Sequence, residues 1–305
     1  MTLIVTVQTS ETIWMLSDRR LSAKGRRHKE DARKMMILET SDGVAMLGYA
    51  GLGATAAGTE PADWMSAVLR GIKAPLEHCL SILATALEKQ FPRHLRTLPT
   101  SVPAAHQVLI PAFVGDSVRL YTIALQLAPD RRSYRFEKFR QSSAGPNGAP
   151  SGRAPRVALA GSGALVLHRK RAWIRDLLRL VKACDEKKIS HNAVADHLAG
   201  INYLVHKGLA DGSVGPRCMV VWKCRANGVH KAGGGMRFYS GTTKDLNGPM
   251  LPTISSGTDW RALVEALMPH VQKMFDNRGT GVPNDVKAMN ADLARIPTRP
   301  DDLLR

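Results

Sequence analysis

Cysteine is scarce in this chain, with four in 305 residues (Cys79, Cys184, Cys218, Cys224) and no CxxC pair. That excludes a disulfide framework and points to a reducing compartment, the cytoplasm. No apolar run approaches the ~18 residues that a membrane span needs. The apolar start, Met1 to Val7, is short, is followed by Glu11, and lacks the basic flank and cleavage site of a signal peptide. Aromatics are few, with eleven Trp and Phe together. They do not interleave with the basic clusters, so no single-strand stacking platform is visible. Acidic residues are outnumbered, 26 against 43 Lys and Arg, for a net charge of +17. The basic clusters Arg19-Arg20, Lys24 to Lys29, Arg131-Arg132 and Arg169-Lys170-Arg171 read as solvated loops and helix faces. A nucleic-acid partner is therefore not favoured.

What is present is β-like at first. Residues 2–7 are rich in β-branched types, 8–11 are polar, and 12–17 read as the partner strand of a hairpin. Residues 34–39 and 43–50 give two more strands across the turn Thr40-Ser41-Asp42-Gly43. Two helices follow, opened by Pro61 and Pro75. Strands are expected over 106–113, 118–125 and 133–139, then a loop over 141–155 and a strand at 157–160. Gly161-Ser162-Gly163 opens a helix to about Cys184, and another helix covers 190–208. Strands at 218–223 and 237–240 and an amphipathic helix over 260–275 precede a polar tail, Asp276 to Arg305. Cys218 and Cys224 should share one face of their strand. Helices come in pairs between groups of strands, which disfavours a doubly wound parallel sheet. The fold class is α+β, a four-layer αββα sandwich of two antiparallel sheets between helix pairs. The expected boundaries are one domain over 2–240 and a C-terminal extension over 241–305 with one helix and the tail.

The chemistry-bearing residues are spaced along this frame. Thr2 follows an initiator methionine that aminopeptidase removes before a small side chain. A Thr with a free α-amine carries both a hydroxyl nucleophile and a base of pKa ~7.7–8.0. Asp18 ends the second strand sixteen residues later, Lys34 opens the third, and Gly48 lies in the fourth. His191 and His197 are six apart on one helix, the wrong spacing for a metal pair. No GxSxG, HExxH or P-loop occurs.

Thr2, Asp18 with Arg19 beside it, Lys34 and Gly48 together resemble the proteasome β-subunit and the HslV peptidase, which are N-terminal-nucleophile (Ntn) hydrolases. The resemblance covers roughly residues 2–225. It extends to Gly161-Ser162-Gly163 and, in part, to Asp211-Gly212-Ser213-Val214-Gly215, where Val214 stands at the family's serine and Ser213 is expected to point elsewhere. The resemblance implies the Ntn αββα fold and peptide-bond hydrolysis through an acyl-enzyme on Thr2. Asp18 would hold Lys34, Lys34 would favour the alkoxide, and the Gly48 amide would bind the oxyanion. Ser162 and Asp211 would support the site. Leu21, Ala32, Met36, Met46 and Ala50 would line an apolar substrate pocket. No metal or organic cofactor is implied, methionine removal would suffice for maturation, and a ring-shaped homo-oligomer is expected. The resemblance allows an ATPase partner without identifying one. The alternatives are an Ntn amidase acting on a small molecule and an inactive scaffold or nucleic-acid-binding protein.

Overall fold

The computed structural model describes residues 2–21, 29–51, 59–95, 106–127, 134–136, 140–141, 155–225, 233–246, 248–278 and 285–299. The expectations for Met1, for the basic residues 24–28 and 131–132, and for most of the loop 141–155 lie outside them.

β1 (Ile4–Gln8) and β2 (Thr12–Asp18) form the expected hairpin, with Ile4 opposite Ser17 and Gln8 opposite Ile13. The polar turn closes because Thr9 Oγ1 accepts the Thr12 amide at 3.0 Å. Every residue of β1 and β2 is buried, because both faces of these central strands are covered. β3 (Met35–Glu39) and β4 (Gly43–Ala50) form the next hairpin. Thr40 holds its turn through Asp42 Oδ1 (2.7 Å). α1 (Pro61–Leu69) starts on the expected proline, and α2 (Leu76–Leu95) follows.

Next come β5 (Gln107–Val114), β6 (Ser117–Leu127), β7 (Tyr134–Phe136), β8 (Arg140–Gln141) and β9 (Arg156–Ala160). The expected single helix to Cys184 is two, α3 (Gly163–Arg169) and α4 (Arg171–Asp185). Lys170, at φ −107° and ψ 55°, breaks the helical geometry between them. α5 (His191–Gly208) is capped by Ser190, whose Oγ accepts the Ala193 amide. β10 (Arg217–Cys224) and β11 (Gly234–Ser240) complete the expected set.

One sheet runs β9-β1-β2-β10-β11, and the other contains β3-β4-β5-β6. α3, α4 and α5 cover the first sheet through Leu3, Val5, Leu16, Leu177, Leu198 and Val220. α1 and α2 cover the second through Met36, Leu47, Met65, Leu80 and Ile110. Ile4, Met15, Met35, Met46, Leu109 and Met219 pack between the sheets. The fold is thus α+β, a four-layer αββα sandwich of two sheets between helices. Cys218 and Cys224 both face the helix side of their sheet.

The chain beyond residue 240 carries more structure than a helix and a tail. β12 (Thr243–Asp245) pairs with β11. β13 (Thr253–Ser255) adds to β3 in parallel, Thr253 beside Ile37, so the second sheet is not wholly antiparallel. β14 (Thr258–Asp259) leads into α6 (Trp260–Asp276), and α7 (Val286–Ala294) occupies the expected tail. Arg70 to Asp259 (3.0 Å) ties α6 to α1. His270 Nε2 contacts Asp292 at 2.9 Å, joining α6 and α7. Among the described residues, no helix is long and apolar enough to cross a membrane.

Candidate active site

Thr2, Asp18 and Lys34 meet where β1 begins, β2 ends and β3 is about to start. All three are buried, at 1%, 0% and 3% exposure. Thr2 Oγ1 donates to Asp18 Oδ1 at 2.8 Å. Lys34 Nζ donates to both Asp18 oxygens at 3.0 and 3.1 Å and also contacts Thr2 Oγ1. Three backbone amides complete the carboxylate's shell: Leu3 (2.7 Å) on Oδ1, and Arg20 (3.1 Å) and Gly215 (3.3 Å) on Oδ2. Asp18 is therefore fully satisfied and fixed in orientation. Burial lowers the proton affinity of Lys34 below that of an ordinary lysine, and the Asp18 charge opposes that shift.

The segments flanking this trio come from distant parts of the chain. Gly161 has φ +87°, and a Cβ there would overlap the Thr2 carbonyl, so only glycine permits this approach. The Gly163 amide donates to that carbonyl at 3.3 Å. Ser162 Oγ lies 3.1 Å from Ser213 Oγ. The expectation that Ser213 points elsewhere is thereby corrected: Asp211 Oδ1 accepts the Ser213 amide at 2.9 Å and turns its hydroxyl toward Ser162. Val214 instead fills the helix-side core. Asp211 thus acts on the Ser213 backbone, with no contact to Thr2 among the described residues. Arg20 closes the loop by donating to the Gly212 carbonyl and to Glu30, each at 2.6 Å. Arg19, next to it, is buried with its guanidinium 5.3 Å from the Phe238 ring centre, so this basic pair is not a surface cluster.

Gly48 is placed differently from its expected oxyanion role. The Tyr49 amide donates to the Lys34 carbonyl at 2.9 Å. Antiparallel alternation therefore directs the Gly48 amide the other way, toward β5 and its partner Leu109. A Cβ on Gly48 would meet Met15 Sδ at 2.7 Å, which marks it as a packing glycine between the sheets. Ala50, the last residue of β4, pairs with Gln107 of β5, so the same alternation turns the following Gly51 amide away from β5, to the β3 side. Gly51 has φ +148°. Counting residues from Thr2 missed it; its signal is the end of β4, which only strand pairing defines.

The expected pocket residues also separate. Met46 and Ala50 face the space between the sheets, and Ala32 is buried. Met36 faces α1, with Ser66 Oγ 3.8 Å from its Sδ, so it cannot share a pocket with Met46. The neighbouring Met35 takes the inter-sheet position, because successive strand residues point to opposite faces. Leu21 is half-exposed in an isolated bridge with Lys29. Among the described residues, no group of three or more His, Cys, Asp or Glu is placed to hold a metal ion.

No protein-family model matches the chain, and no curated protein does. Similar solved structures are Anbu proteins. Anbu (ancestral beta-subunit) from Yersinia bercovieri is 13% identical, over 73% of this chain and 81% of that one, with a TM-score of 0.42. Anbu from Hyphomicrobium sp. strain MC1 is 10% identical, over 90% and 97%, with a TM-score of 0.44. A helical assembly of the Anbu complex from Pseudomonas aeruginosa gives 12%, 93% and 99%, and 0.41. The similar structures are thus Anbu (ancestral beta-subunit) proteins, and the likeness to the proteasome β-subunit and HslV drawn from the residue spacing is corrected to them.

Proposed function

We propose that the chain is an N-terminal threonine hydrolase that cleaves amide bonds, most simply those of peptides, once the residue before Thr2 is removed. The observation that carries this reading is the Lys34 ammonium nitrogen shared between Thr2 Oγ1 and both oxygens of Asp18. A buried lysine with lowered proton affinity, in contact with a hydroxyl, suits the transfer of that hydroxyl's proton. In this mechanism Thr2 Oγ attacks the carbonyl carbon, and its proton passes through Lys34 Nζ to the free α-amine. Asp18 keeps Lys34 on the hydroxyl. The tetrahedral oxyanion takes the Gly51 amide. Collapse expels the amine, which takes the proton from the α-amine, and water then hydrolyses the ester. Ser162 and Ser213 form the polar wall on the α3 side.

Met35, Met46 and Ala50 are apolar side chains packed between the sheets, which favours an apolar residue before the cut. Faster cleavage of a Leu peptide than of its Arg counterpart is the expected result, and the reverse would remove the pocket from the reading. Self-association is part of the proposal, with Trp260, Met268 and Phe275 of α6 exposed and available for it. Sedimentation velocity measures the subunit number.

Intact-protein mass with and without a β-lactone probe tests the central claim. The expected result is loss of Met1 and a single adduct mapped to Thr2. A Thr2 exposed as N-terminus that never reacts, together with salt-dependent DNA binding, would support the inactive binding protein instead.

A further inference from the structure

Three residues cluster at the end of β4, outside the Thr2–Asp18–Lys34 trio. Tyr49 lies two residues before Gly51 on the same strand. His106 immediately precedes Gln107, which pairs with Ala50, so the register sets His106 opposite Gly51. Tyr49 Oη and His106 Nδ1 are 3.0 Å apart, and the two rings are tilted at 39° with centres 6.2 Å apart. Both side chains are buried, at 9% and 2% exposure. The His106 ring lies against the Gly51 Cα, where any Cβ would overlap it. A glycine at φ +148° has many alternative conformations to lose. The imidazole occupies the space those alternatives would need, and the Tyr49 hydroxyl fixes the imidazole.

We propose that Tyr49 and His106 are positioning residues that clamp the Gly51 backbone so that its amide faces the oxyanion beside Lys34. The inference rests on the threonine-hydrolase reading above. The clamp touches neither substrate nor Thr2. It acts through the peptide unit between Ala50 and Gly51, and its effect falls on the transition state rather than on ground-state binding. Loss of one oxyanion donor costs ~10²–10³-fold in rate, and a loosened donor costs a part of that.

The test follows the rate of β-lactone acylation of Thr2 by intact mass, across probe concentrations, in the Met1-processed full chain. In that step Thr2 Oγ bonds to the lactone carbonyl, the ring C–O bond breaks, and the leaving alkoxide takes the hydroxyl proton. Tyr49→Phe keeps the ring and its packing and should lower the maximal rate about 10-fold, with the half-saturating concentration within about twofold. His106→Ala should lower it further, and His106→Asn, which keeps a polar atom near the Nδ1 position, should recover most of the loss. Melting temperatures are measured alongside. If Tyr49→Phe and His106→Asn fold and react at the wild-type rate, the clamp is overturned. Rate losses that simply follow the melting temperatures, or a loss confined to half-saturation, would also overturn it. A wild-type protein that takes no label at Thr2 instead removes the hydrolase reading, and the clamp falls with it.

Discussion

The β1–β2 ribbon carries a polar cluster at each end, and the two differ in kind. At the Asp18 end, a carboxylate and a lysine share a buried hydroxyl, and backbone amides finish the carboxylate's shell. At the turn end, Thr12 Oγ1 and Cys224 Sγ both approach His191 Nε2, at 3.4 and 3.5 Å. That pair resembles a cysteine nucleophile with its base. Yet burial raises the Cys224 thiol above its ordinary value, so it stays protonated. The nearby Cys184 is pushed up to about 11 by burial. His191 lies parallel to Trp222, with ring centres 6.3 Å apart, which is a packing arrangement. A nucleophile and a histidine in contact are common in a core. What distinguishes the Asp18 end is a charge pair aimed at the hydroxyl and glycine backbones that leave room beside it.

Substitutions can break this contrast. The largest effect is expected from Thr2→Ala, which should abolish acyl-enzyme formation, with a loss of roughly 10⁴-fold or more in turnover. Retained β-lactone labelling elsewhere would shift attention to the turn end. Asp18→Asn should come next, because it leaves Lys34 buried without its countercharge. A stability loss of ~3–5 kcal/mol in urea unfolding is expected, and a loss under 1 kcal/mol would mean that Lys34 finds another partner.

The same pair sets a pH dependence. Burial holds Lys34 in the folded state below the ordinary lysine value of 10.5. Between that lowered value and 10.5, the unfolded chain binds more protons, so this group makes stability rise with pH through that window. Lys34→Met should remove the rise, measured by urea midpoints at about pH 8 and pH 10. A smaller effect tests the loop: Val214→Ser should destabilise by ~1–3 kcal/mol through an unpaired buried hydroxyl and leave acylation unchanged. Improved acylation would return the supporting role to position 214. The smallest effect is expected for Cys224→Ala, with unchanged labelling of Thr2 and a stability change of about 1–2 kcal/mol. Lost labelling there would erase the contrast between the two ends.

Much of the architecture was legible from residue order. The hairpin turns at 8–11 and 40–43 and Pro61 at a helix start are local signals, and these elements formed near their expected places. Thr2, Asp18 and Lys34 were legible because they bound strands whose lengths were readable. Gly48 and Met36 were not assignable by counting. A one-residue step along a strand reverses both the amide direction and the side-chain face, and only pairing with β3 and β5 shows which step applies. The direction of Ser213 was not readable for a different reason: it lies in a loop whose amide is held by the Asp211 side chain.

Composition and pattern by themselves determined that the chain makes a two-sheet α+β sandwich and places a threonine, a carboxylate and a lysine at strand ends. Those depend on short-range periodicity and turn chemistry, which act within a few residues. Tertiary structure decided that Gly161 meets the Thr2 carbonyl, that Gly215 donates to Asp18, and that His106 packs on Gly51. It also decided that β13 extends the second sheet beside β3. These contacts join residues 55 to 216 positions apart. Their energies come from burial and register, which no local window of sequence contains.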